Sequence, residues 1–191
     1  MNIHLFLSKL KDNILCTYNI DRKAQSEFEK MRMLIKKGGR FNMLRARRME
    51  NKLLLKYQLK IPCSAKIGEN FQIRHPQGVT IGKTTIIGSN CRVYPYFIAM
   101  AALKNDDSLL GKRRHPKIGN DCILGSHASV IGAVTIGDDV IIAACAIVTK
   151  DVPSHSVVKG INQIRPKRLE EVPEKYKKDY ELLLKARDKI I

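Results

Sequence analysis

The chain has 191 residues, 44% hydrophobic and 28% charged, a balance that suits one folded domain with flanking elements and excludes a disordered or collagen-like chain. No apolar run approaches the roughly 20 residues of a membrane span, and Lys9, Lys11 and Asp12 interrupt the apolar start at Ile3, Leu5, Phe6 and Leu7, so neither a spanning helix nor a signal peptide is expected. The formal charge of +17 is concentrated early: residues 1–60 hold 15 basic and 5 acidic residues, residues 61–163 hold 11 and 7, and residues 164–191 hold 9 and 6.

Residues 1–60 read as a basic helical segment. Asp21 is placed to cap a helix in which Ala24, Phe28, Met31 and Leu34 fall at helical spacing and which Gly38 and Gly39 end. A second helix is predicted from about Asn42 to Tyr57, with Leu44, Met49, Leu53 and Tyr57 on one side, and Pro62 closes the region. The positive excess suits the solvated backs of these helices, or peripheral contact with an anionic membrane surface. A nucleic-acid partner is not expected, because the segment has few aromatics for stacking and no binding motif.

Residues 61–163 follow another rule. Aliphatic residues recur every six positions, at Ile67 and Ile73, then Ile81, Ile87 and Val93, then Ile118, Leu124, Val130, Ile136, Ile142 and Val148. Four residues after most of them stands a second small or apolar residue, among them Phe71, Thr85, Cys91, Phe97, Cys122, Ala128, Val140 and Ala146. Six is neither a helical nor a strand period; it is the period of a parallel β-helix, in which each hexapeptide makes one face of a triangular coil. The period breaks twice. The step from Ile73 to Ile81 is eight and contains His75-Pro76-Gln77-Gly78, and the step from Val93 to Ile118 is 25 and contains an unpatterned basic stretch, 104–116, read as a projecting loop. Beyond residue 163, Pro173 is placed to start a C-terminal helix with Tyr176, Tyr180 and Leu184 stacked.

The five cysteines are odd in number and lack C-x-x-C spacing, which fits a reduced, cytoplasmic chain without a metal site; Cys91 and Cys122 occupy inward repeat positions and are expected to be buried.

From about Lys60 to Gly160 the chain resembles the hexapeptide-repeat acyltransferases, in the serine acetyltransferase-like branch that includes surface-polysaccharide O-acetyltransferases. The resemblance rests on Lys66-Ile67-Gly68, on Ile73-x-His75-x-x-Gly78-x-x-x-Gly82-x-Thr84 with its eight-residue step, on Arg114-His115-Pro116-Lys117-Ile118, and on Val148-Thr149-Lys150-Asp151-Val152-Pro153. It implies a mainly β chain built on a left-handed β-helix, a homotrimer, and acetyl-CoA as cosubstrate in the groove between subunits, with no metal. It makes His75 the general base and His115 the second active-site histidine, aligns Ser126 and Ala144 with the pantetheine arm, and sets Lys150, Arg165 and Lys167 toward the nucleotide phosphates.

Two departures from the resemblance shape the expected acceptor. The serine enzymes carry Asp immediately before the catalytic histidine and again fifteen residues before it, where this chain has Arg74 and Lys60. Two cations in place of two carboxylates would repel an acceptor ammonium and remove the obvious partner of the imidazole. The expectation is therefore direct attack of a sugar hydroxyl on the thioester in surface-polysaccharide synthesis, with Arg74, Arg113 and Arg114 open to an acidic group. The chemical alternative is serine O-acetylation; the alternative of another class is a catalytically silent trimeric scaffold.

Overall fold

In the computed structural model, which describes residues 3–100 and 114–187, the coils follow two packed helices, α1 (Ile3–Lys37) and α2 (Arg40–Tyr57). Gly38 and Gly39, both at positive φ, end α1 as expected. Asp21 does not cap a helix but lies within α1, because residues 3–20 contain no glycine or proline to break the helix before it. Ala24, Phe28 and Met31 are buried, as are Leu53 and Tyr57 of α2. Leu44 is exposed instead; nine residues, two and a half turns, set it opposite Leu53.

Twelve short strands form the coils: β1 (Lys66–Ile67), β2 (Gln72–Ile73), β3 (Thr80–Ile81), β4 (Ile86–Ile87), β5 (Arg92–Val93), β6 (Ile98–Met100), β7 (Lys117–Ile118), β8 (Ile123–Leu124), β9 (Ser129–Ile131), β10 (Thr135–Ile136), β11 (Ile141–Ile142) and β12 (Ile147–Val148). They stack in parallel as three faces, β1-β4-β7-β10, β2-β5-β8-β11 and β3-β6-β9-β12. The hexad aliphatics fall in register up each face, Ile67 over Ile87, Ile118 and Ile136 on the first and Ile81 over Ala99, Val130 and Val148 on the third. All but Ile67 are buried, each large side chain contributing roughly 1.5–3 kcal/mol. Cys91 and Cys122 are buried within the same core. The repeat runs one hexad further than the aliphatic pattern showed, because the inward residue of β6 is Ala99.

Both breaks leave the register intact. The regular coil takes 18 residues, from Ile118 to Ile136; Ile67 and Ile87 are 20 apart, and Ile87 and Ile118 are 31 apart, yet they still pair. The extra residues of the first break leave the column as a bend at His75. Of 104–116, only 114–116 fall within the described residues; Arg113 lies outside them.

The first coil would expose unpaired strand edges, and α1 covers them. Gln25 donates from Nε2 to the Phe71 carbonyl at 2.7 Å and accepts the Ile73 N–H at 2.9 Å, while Arg32 reaches the Ile67 carbonyl at 3.3 Å. The other end closes differently. After β13 (Ser156–Lys159) joins the second face, β14 (Gln163–Pro166) turns back antiparallel to it, so a division at residue 163 cuts through a strand. Beyond it, Lys167 packs inside with its ammonium 2.5 Å from Asp139, whose other oxygen meets His155 Nδ1 at 3.0 Å. Helix α3 (Glu174–Arg187) docks there: the buried Tyr180 donates to the Lys167 carbonyl, and Tyr176 donates to Asp121.

Candidate active site

His75 stands in the bend between β2 and β3, with its side chain 74% exposed and its backbone at φ +49°. Ten other non-glycine residues among those described also have positive φ, mostly where coils turn a corner, so this conformation belongs to the bend and does not by itself mark function. The neighbours of His75 are more telling. Its backbone N–H donates to Asp21 Oδ2 at 3.1 Å, and the same oxygen lies 3.6 Å from its Nδ1. Asp21 comes from α1, 54 residues upstream. No motif around the histidine signals it, and only the packing of α1 on the first coil brings it there.

Asp21 also lines an open cleft of about 840 Å³ between α1 and the second face, together with Arg22, Gln72, Arg74 and Arg92. Gln72 Oε1 accepts from Arg74 at 3.1 Å and from Arg92 at 3.2 Å, which turns both guanidinium groups along the face. The cleft is thus of mixed charge, where the residues nearest the histidine in sequence suggested cations alone.

His115 is set at the opposite end of β3. Its ring packs on Gly82, and a Cβ added there would lie 1.7 Å from His115 Cδ2 and 2.2 Å from Nε2. Thr84 Oγ1 is 2.7 Å from His115 Nδ1 and also accepts the Arg114 N–H at 3.2 Å. The Thr84 backbone N–H donates to Nδ1 at 3.4 Å, which makes Nδ1 the acceptor and leaves the ring proton on Nε2. Burial and then the adjacent Arg114 charge push the His115 pKa below its ordinary value, which favours the uncharged ring. Because His75 precedes β3 and His115 packs just after it, the two occupy different corners of the column, and one chain does not bring them together.

The expected cofactor-side residues divide into two groups. Ser126 and Ala144 lie one coil apart, since β8 and β11 pair in register, and the Ser126 carbonyl accepts the Cys145 N–H at 2.9 Å. Lys150 is exposed beside a shallow depression formed with Ile131, Gly132 and Thr149. Lys167 does not face a ligand; it is buried against Asp139. Arg165 is held by Glu171 through two bonds of 2.8 Å, so its guanidinium is already engaged. The sequence could not show either, because Asp139 and Glu171 become partners only through the β14 turn-back. No group of three or more side chains suited to a metal ion occurs among the described residues, and no described helix is long and apolar enough to cross a membrane.

The stacked parallel coils, with His75 and His115 on bends, form a β-helix, left-handed like the solved structures it resembles. Residues 115–150 match the family described as bacterial transferase hexapeptide (six repeats). A serine acetyltransferase of Helicobacter pylori is 40% identical over 102 residues, covering 53% of this chain and 57% of that protein. Among solved structures, serine acetyltransferase isoform 3 of Entamoeba histolytica in complex with cysteine superposes with a TM-score of 0.55 at 31% identity, covering 62% of this chain and 41% of the other. The Neisseria gonorrhoeae serine acetyltransferase gives 0.61 at 26%, covering 75% and 51%. The chain spans less than two thirds of each of these relatives.

These relatives overturn the sugar acceptor and the polysaccharide pathway expected from the sequence. The charge argument behind that expectation weighed Arg74 and Lys60 alone, and the fold supplies a carboxylate, Asp21, from outside the motif.

Proposed function

We propose that this chain is an acetyl-CoA-dependent O-acetyltransferase whose acceptor is L-serine. The observation that carries the reading is the exposed His75 imidazole on its bend, beside a carboxylate and a cleft of mixed charge. Transfer of an acetyl group from a thioester to a hydroxyl needs a base near neutral pH, and imidazole supplies one. His75 Nε2 takes the hydroxyl proton as the serine oxygen attacks the thioester carbonyl. The C–O bond forms, the C–S bond breaks, and the proton passes to the departing CoA sulfur. A zwitterionic acceptor finds both signs of charge in the cleft, whose lining includes Glu29 and Glu69 as well as Arg74 and Arg92. His115, neutral and donating from Nε2, suits an oxygen of the acceptor or of the thioester. Ser126, Ala144 and the exposed Lys150 remain the proposed contacts to CoA.

Following CoA release with purified protein tests the acceptor. L-serine is expected to give a kcat/KM at least about tenfold above that of L-threonine, glycerol or neutral sugars; a saccharide exceeding serine would overturn the acceptor.

Two associations belong to the same proposal. A homotrimer would set His75 of one subunit near the second histidine of its neighbour, which the separation of the two corners within one chain requires. Sedimentation equilibrium is expected to return three times the 21.7 kDa chain mass. Peripheral contact with an anionic lipid surface is supported by α2, which turns exposed Phe41, Leu44 and Leu55 outward along with Arg45 and Arg48, while its single acid, Glu50, turns inward to accept the Cys63 N–H. Flotation with vesicles rich in phosphatidylglycerol, absent with neutral vesicles and abolished by R45E/R48E, is the expected result.

A further inference from the structure

We infer that Asp21 is the positioning residue of His75: its carboxylate accepts the Nδ1 proton of the imidazole, fixing the tautomer that leaves the Nε2 lone pair facing the acceptor hydroxyl. The role of His75 as base rests on the function proposed above; the Asp21–His75 pairing rests on geometry alone. The position from which an acid would orient the imidazole in the resembling enzymes is Lys60 here, whose backbone bridges Thr80. The imidazole would therefore lack an anionic partner if the structure did not supply one from elsewhere. Asp21 Oδ2 is 3.6 Å from Nδ1, and a small rotation of an exposed ring closes that to a hydrogen bond. The oxygen cannot drift away, because it is tied to the His75 N–H at 3.1 Å. One atom is thus bonded to the backbone of the bend and faces the ring.

A purely structural role is the competing account. Gln25 and Arg32 on the same helix also cap backbone groups of the first coil, at Phe71, Ile73 and Ile67, without touching any reactive side chain. Asp21 differs in that the backbone group it caps belongs to the histidine whose ring it faces. The tautomer of an imidazole is set by what its other nitrogen bonds, and loss of the orienting carboxylate leaves the base in place with its proton on the wrong nitrogen.

The test is ¹⁵N NMR of the histidine rings in the full-length protein, with His75 assigned through H75Q, comparing wild type with D21A, D21E and Q25A. D21A removes the one oxygen that serves both the His75 N–H and the ring, and Q25A, which loosens the same coil edge without touching His75, controls for a lost backbone bond. Wild type is expected to show His75 chiefly as the Nδ1–H tautomer, D21A to shift it toward Nε2–H, and D21E to retain it in part. Q25A is expected to lower Tm without moving the tautomer. In turnover, D21A should lower kcat about 10- to 100-fold with KM changed less than about threefold. A His75 tautomer identical in wild type and D21A overturns the assignment, whatever the enzyme acetylates. A tautomer that moves as expected in a protein that does not acetylate serine upholds the pairing and sinks the proposed acceptor.

Discussion

Replacing His75 with alanine is expected to lower kcat at least about a hundredfold while leaving the Kd for acetyl-CoA nearly unchanged. A hundredfold corresponds to about 2.7 kcal/mol of lost transition-state stabilisation, within the range for removing a positioned general base. The separation of effects follows from the structure: His75 lies on the bend before β3, whereas Ser126 and Ala144 lie on coils formed by β8 and β11. Stability should hardly change, because the side chain is 74% exposed and the bend is held through the backbone bond to Asp21, which alanine retains. Steady-state kinetics with calorimetric titration of acetyl-CoA checks both halves. Turnover within about fivefold of wild type would move the base elsewhere, with His115 the next suspect.

The second large effect is expected from the smallest substitution available, Gly82→Ala. Gly82 is not at a positive φ, so its backbone tolerates alanine, and the conflict is with the His115 ring, 1.7 Å from the added Cβ. The ring must swing out and give up its 2.7 Å contact with Thr84. If His115 donates to the reacting oxygens, kcat/KM should fall about 10- to 100-fold, with Tm altered by only a few degrees. The diagnostic is non-additivity: H115A should cause a similar loss, and the G82A/H115A double variant should be no worse than H115A alone. Additive losses would mean that Gly82 acts on something other than the histidine.

Much of the fold was legible because the hexapeptide period is a direct record of packing. Each inward residue meets its counterpart one coil away, so Ile81, Ile87, Val93 and Leu124 declare the column without reference to anything distant. The bends were legible for the same reason: an insertion that preserves register has to leave the core. The site was legible only in part. His75 and His115 stand out because the bends break the pattern, but the partners of charged groups depend on which elements pack together. Asp21 read as a helix cap, Lys167 as a phosphate ligand and Arg74 as a barrier to ammonium, and each reading changed once its spatial neighbour was known: the bend, Asp139, and the mixed cleft. Leu44 is exposed for a simpler reason: nine residues of helix turn it to the side opposite Leu53.

The covering of the first coil by α1 has a consequence for how such a chain can change over evolutionary time. A column closed at one end by helices and at the other by the β13–β14 turn-back is a stack whose middle can lengthen or shorten in units of 18 residues without disturbing either terminus. Because the histidine bend sits in the lowest coil, against the helix that closes it, the acid–base chemistry proposed for His75 is bound to the closure and not to the repeats. Whole turns can be gained or lost above it, reshaping what the upper grooves accommodate, while the His75–Asp21 pair stays put.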